Sequence, residues 1–176
     1  MFKNYTFLAM VLHENQEISS KDLEILLEEN LSAKEQQTVF LLREETALES
    51  KCHSEEELRQ HLHKLMQKSS GFLSRYAALE WEIRTALVDY RSQPEKGIKL
   101  EGLKAILEKH SEEPMLLYKA LLDYKCDKLQ STATAPFSLD TILWEVWRLD
   151  QLQKWLRLDR AKGIMHLDHL LERTAC

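Results

Sequence analysis

Apolar residues recur at three- and four-residue spacing along most of the chain, with polar faces between them, which is the period of amphipathic helices. The opening stretch, residues 2 to 12, is apolar and reads as helical. SSKDLEILLEEN begins at Ser19 or Ser20 and gathers Leu23, Leu26 and Leu27 on one side. SAKEQQTVFLLREETALES places Ser32 and Glu35 in a capping-box arrangement and aligns Phe40, Leu41, Ala47 and Leu48. SEEELRQHLHKLMQK repeats the device with Ser54 and Glu57, and buries Leu58, Leu62, Leu65 and Met66. The cleanest period lies in residues 71 to 91, where Phe72, Tyr76, Leu79, Ile83, Leu87 and Tyr90 define a long core helix.

Residues 92 to 102, SQPEKGIKLEG, interrupt the pattern with Pro94, Gly97 and Gly102, and form a candidate hinge between 1–91 and 103–176 of a single helical domain. Beyond it come LKAILEKH and a helix opening at Pro114, with Met115, Tyr118, Leu122 and Leu129 on one side. QSTATAP, residues 130 to 136, is a second break. The segment from Pro136 to Gly163 then reads as one long helix carrying Trp144, Trp147 and Trp155, three of the four tryptophans. Pro136 cannot sit inside a helix, Ser138 and Asp140 can cap its first-turn amides, and Gly163 suits its closing residue. So much apolar surface must be buried in a bundle or against a partner. A short helix, IMHLDHLLER, follows. No strand is required, and the expected fold is an all-α bundle of about seven to nine helices with no sheet.

Composition agrees with this picture. Four glycines and three prolines in 176 residues are too few for the many turns of a sheet protein. The net charge of −5 is unevenly spread: residues 14 to 57 carry thirteen acids and four bases, net −9, leaving +4 on the remainder. A field of one sign suits steering toward a basic partner and argues against nucleic acid at that end. Cys52, Cys126 and Cys176 are odd in number and widely separated, which points to a reducing compartment rather than a disulfide framework. The run YTFLAMVL is too short to cross a bilayer and lacks a small-residue cleavage pattern. A cytoplasmic protein is expected, in contact with a membrane only through partners.

Candidate chemistry is sparse. His61 and His63 are two apart and point to different helix faces; His166 and His169 could share a face, but zinc asks for three or four ligands. No Glu stands three residues before any histidine, which removes the dimetal-carboxylate signature. The glycines are isolated, so no phosphate loop is present, and no nucleophile turn is recognisable. No catalytic residue, cofactor site or metal site is read from the sequence. Lys154, Arg157, Arg160 and Lys162 follow the helical spacing of an outer face near a helix C-terminus. Arg84, in the middle of the long core helix, needs a counter-charge, and Glu80 one turn before it can supply one.

GFLSRYAALEWEIRTALVDYR, YKALLDYKCDKLQ and FSLDTILWEVWRLDQLQKWLRLDRAKGI, together with the opening NYTFLAMVL, resemble a family encoded within bacterial V-type ATPase operons, notably of chlamydiae and Bacteroidetes. That family is similar in turn to the V/A-type ATPase C (or d) subunit. The resemblance implies an all-helical, non-catalytic part at the coupling between the rotary shaft and the membrane rotor of a proton- or sodium-transporting complex, peripheral on the inner membrane. Its implied partners are the shaft and rotor subunits. The matching positions are Phe72, Leu73, Tyr76, Glu80, Arg84, Arg91, Leu139, Asp140, Trp155, Leu158, Asp159 and Gly163, carried over as structural or interaction residues alongside Trp144 and Trp147. The chain departs from the family in being shorter before GFLSRY and after Arg91. The alternative from a different class is a helical adaptor or chaperone that offers an acidic face and an apolar groove to an unrelated client.

Overall fold

Eight helices are present in a computed structural model that describes residues 5–14, 18–47, 54–69, 71–92, 101–131 and 138–157. They are α1 (Tyr5–Glu14), α2 (Ser20–Asn30), α3 (Ala33–Ala47), α4 (Glu55–Lys68), α5 (Phe72–Ser92), α6 (Glu101–His110), α7 (Pro114–Gln130) and α8 (Leu139–Arg157). Among the described residues there is no strand, and the protein is an all-α bundle.

Local chemistry sets most helix starts. The Ser19 hydroxyl accepts from the Asp22 amide at 3.1 Å to open α2, and Ser54 does the same for the Glu57 amide at 3.1 Å to open α4. At α3 the Glu35 carboxylate reaches back to the Ser32 amide at 2.9 Å, the return half of a capping box. Pro114 opens α7, where its missing N–H would have had no helical partner. The Leu31 amide closes α2 on the Leu27 carbonyl at 2.9 Å, and the Gln36 side chain donates to the Leu31 carbonyl, so α2 and α3 meet across a two-residue connection.

The hub is α8, which packs against α1, α3, α5 and α7. Ile142, Leu143, Trp144, Glu145, Val146 and Trp147 are six consecutive buried residues. A helix buried in succession like this has no solvent face, so the stretch from Ile142 to Trp147 is enclosed all round. α5 packs against α4, α7 and α8, while α6 lies on α7. Leu103, Leu107 and Leu129 belong to the same core as Leu8, Leu23, Phe72 and Leu143, so helices on both sides of the 92–102 segment share one interior. Residues 93–100 themselves lie outside the described residues. A smaller cluster forms where Leu58, Leu62 and Leu65 of α4 meet Ala77 of α5, edged by Met66 and Trp81. The Arg59 guanidinium sits 4.7 Å from the Trp81 ring, covering that edge.

Two expectations change. On α3 the buried face is Val39, Leu42 and Thr46, while Phe40 is 63% exposed and Leu41 also faces solvent. Four consecutive apolar residues, 39 to 42, leave the face ambiguous in sequence, and the packing of α8 on the Val39–Leu42–Thr46 side decides it. Met115 is 48% exposed although Leu129 on the same helix is buried, because the first turn of α7 projects beyond the core. The Trp-rich helix is described from Leu139 to Arg157; Pro136, Leu158, Gly163, Ala47's side chain, Leu48 and the IMHLDHLLER segment lie outside what is described.

Candidate functional site

The start of α5 is completed from a distant part of the chain. Gly71 has φ of +65°, a conformation that side chains resist, and a Cβ there would stand 2.7 Å from an Asp140 carboxylate oxygen. That oxygen accepts a hydrogen bond from the Phe72 amide at 3.0 Å. Asp140 was expected to cap its own helix; it caps α5 instead, while the Thr141 amide of α8 bonds the Ser138 carbonyl at 3.2 Å. Phe72 and Tyr76 beside this joint are buried, and the Tyr76 ring lies 6.5 Å from Trp147. Trp144 and Trp147, both buried, stack at 5.5 Å. Gly71→Ala is expected to destabilise the fold by about 1–2 kcal/mol through the left-handed backbone alone, and Asp140→Ala by about 0.5–2 kcal/mol through the lost cap. Urea unfolding of each single and of the pair should show non-additivity, because both act on one contact.

One and a half turns further along α5, a pocket of about 170 Å³ opens between α3, α5, α7 and α8. Tyr76, Glu80, Arg84, Tyr118, Lys125, Gln151 and Lys154 line it, with Thr46 at one end and aliphatic carbons of Ile83, Leu87, Leu121 and Leu122 between them. Glu80 is buried, and Lys125 of α7 holds it at 2.5 Å. Sequence spacing suggests Arg84 as the counter-charge of Glu80, but the ion pair Glu80 makes with Lys125 comes from another helix and has no spacing signature. Lys154 is half-buried rather than on an outer face: it donates to the Thr46 carbonyl at 2.9 Å, at the C-terminal end of α3 where a cation is favoured. Three cations and one carboxylate line the pocket, and Lys125 and Lys154 are already engaged there by Glu80 and by the Thr46 carbonyl.

Three further polar ties fix α8. Buried Glu145 accepts from the Arg148 guanidinium at 2.8 Å and lies 3.2 Å from the His13 ring of α1, while Arg148 also reaches the His13 carbonyl at 3.3 Å. Asp150 binds Arg43 of α3 at 3.4 Å, and Gln153 donates to the Ile18 carbonyl at 3.0 Å. None of His13, Glu145, Arg148 or Lys125 was singled out from sequence, since each gains its meaning from a partner on another helix. Among the described residues no group of three or more His, Cys, Asp or Glu is placed to hold a metal ion. Arg91 is exposed at the end of α5. Trp155 belongs to α8 by its backbone, with its side chain outside the description, as are Asp159, Gly163, His166 and His169.

Cys126 is half-buried on α7, and burial first, then Asp123 and Asp127, push its thiol pKa up. The folded thiolate is therefore scarcer than that of a free cysteine at any pH near 8. In a C52S/C176S background, iodoacetamide should modify Cys126 more slowly than a peptide thiol at pH 8, with its rate rising only at higher pH; a rate equal to the peptide's would contradict the placement.

A second concavity, of about 510 Å³, runs between α2 and α3 and is lined by Glu24, Leu27, Glu28, Ala33, Gln36, Gln37, Val39, Phe40 and Arg43. Its lining is mostly apolar, and its edge is acidic. The sequence places thirteen acids in this part of the chain, but the exposure of Phe40 was not foreseen. Compared with models of protein families, with curated proteins and with solved structures, the chain matches none of them.

Proposed function

We propose that this chain is a non-catalytic helical subunit or accessory factor of a bacterial V-type ATPase, of the C (d) subunit kind, that couples or assembles the central shaft and the membrane rotor. One observation supports this reading above the others. Residues that carry the resemblance on two separate helices, Phe72 and Tyr76 on α5 and Asp140 on α8, meet in a single joint. These side chains build a packed connection and present no reacting group to solvent, which suits a part that holds or transmits. Its partners are the shaft and rotor subunits, it has no nucleic-acid ligand, and it meets the membrane through those partners. Among the described residues no helix is long and apolar enough to cross a bilayer. Affinity capture of the tagged chain from its native host is expected to recover a shaft or rotor subunit in stoichiometric amount. Recovery of neither would overturn the proposal.

A second reading is favoured by the α2–α3 concavity, whose exposed Phe40 suits a helical adaptor that binds a client unrelated to the ATPase. The same capture separates the two readings, since a client outside the rotary complex would be retained in place of shaft and rotor.

A further inference from the structure

An aromatic side chain left largely in water beside a formed groove is the least explained feature of this surface. The floor of the α2–α3 concavity is Leu27 and Val39, both buried, and Phe40 rises along one wall at 63% exposure. At about 510 Å³ the space lies within the range of formed binding sites, and its boundaries are two adjacent helices. Such a trough accepts the apolar stripe of a third helix, with one large side chain seated against the aromatic wall.

The rim adds the second half of the argument. Glu24 and Glu28 stand one turn apart on α2, both exposed. Arg43, the basic residue of the lining, is held at 3.4 Å by Asp150 and stands 3.8 Å from Glu24, whose carboxylate side chain remains 65% exposed. Residues 20 to 47, which form the two walls of the groove, carry seven acids and three bases, a net charge of −4. An acidic field of that kind draws a basic segment toward the trough and repels an acidic one.

We infer that the α2–α3 groove seats an amphipathic helix of a protein partner, its apolar stripe against Phe40 and Leu27 and its flanking Lys or Arg side chains facing Glu24 and Glu28. The inference goes beyond the rotary-complex assignment and does not rest on it, because groove shape and charge would select the same kind of segment in either assembly.

The test uses the full chain and three synthetic helices of about four turns. The first has a leucine stripe with lysine flanks, the second replaces lysine by glutamate, and the third keeps lysine but replaces leucine by glutamine. Fluorescence anisotropy is expected to show binding of the first alone, weakening as salt is raised. Phe40→Ala should weaken it by at least about tenfold. Because Phe40 is exposed, this variant keeps its fold, which circular dichroism verifies. The double variant Glu24→Lys/Glu28→Lys should transfer preference to the glutamate helix, a change that loss of structure would not produce. Amide exchange should slow in α2 and α3 on binding. Equal binding of the leucine and glutamine helices, or no effect of Phe40→Ala, would overturn the inference. A dimer of the chain that Phe40→Ala abolishes would overturn it equally, by giving the groove to a second copy.

Discussion

Trp147→Ala is expected to destabilise the protein by about 3–5 kcal/mol, the largest effect of any single truncation in the core. Trp147 is the largest fully buried side chain, 1% exposed, on the helix that touches α1, α3, α5 and α7. Its ring stacks on Trp144 and adjoins Tyr76, so truncation removes two aromatic contacts as well as area. Neighbours enclosed on every side cannot collapse fully into the space, and the residual cavity adds to the lost transfer energy. Trp147→Phe provides the control. Its indole N–H has no hydrogen-bond partner among the described residues, so phenylalanine removes a donor that contributes little and keeps much of the volume. Thermal and urea unfolding should place phenylalanine well above alanine; equal losses would mean that the ring volume is not what holds this position.

The second large effect is expected at Lys125. Lys125→Met leaves Glu80, a carboxylate only 5% exposed, without the ammonium that sits 2.5 Å away. Breaking a buried pair is costlier than never having one, since the remaining charge is stranded away from water. About 2–4 kcal/mol is expected, somewhat below a fully buried case because the lysine end of the pair is partly open to solvent. The informative variant is the double replacement Glu80→Leu/Lys125→Met, which removes both charges and should recover most of the loss. If the double variant is no more stable than Lys125→Met, the destabilisation comes from lost packing of the lysine stem and not from an orphaned carboxylate.

How far the sequence reaches depends on how local the determining contact is. The caps at Ser19, Ser32 and Ser54 are legible because donor and acceptor lie three residues apart. The α5 face from Phe72 through Ile83 is legible because one helical period accounts for it. Val39 and Phe40, adjacent in an apolar run, cannot be ranked by period; the position of α8 on one side of α3 ranks them. Asp140 caps a residue 68 positions away, and Glu80 meets a lysine on another helix, so neither pairing has a sequence signature. The joint residues Phe72, Tyr76 and Asp140 could thus be named from sequence, whereas the pocket that Tyr76 also lines could not, because Lys125 and Lys154 enter it from α7 and α8.

The position of α8 in the chain has a consequence for synthesis. Ribosomes release α1 through α7 before the helix that packs against four of the eight has been made. Until then the apolar faces of α1 and α3 have no hub to close on, and the Phe72 amide at the head of α5 has no carboxylate to meet. The nascent chain therefore emerges with Leu8, Leu42 and Phe72 lacking their final neighbours, a state exposed to proteases and to self-association. Its escape is a single late event, the docking of a helix rich in tryptophan that the ribosome makes only after the seven helices before it.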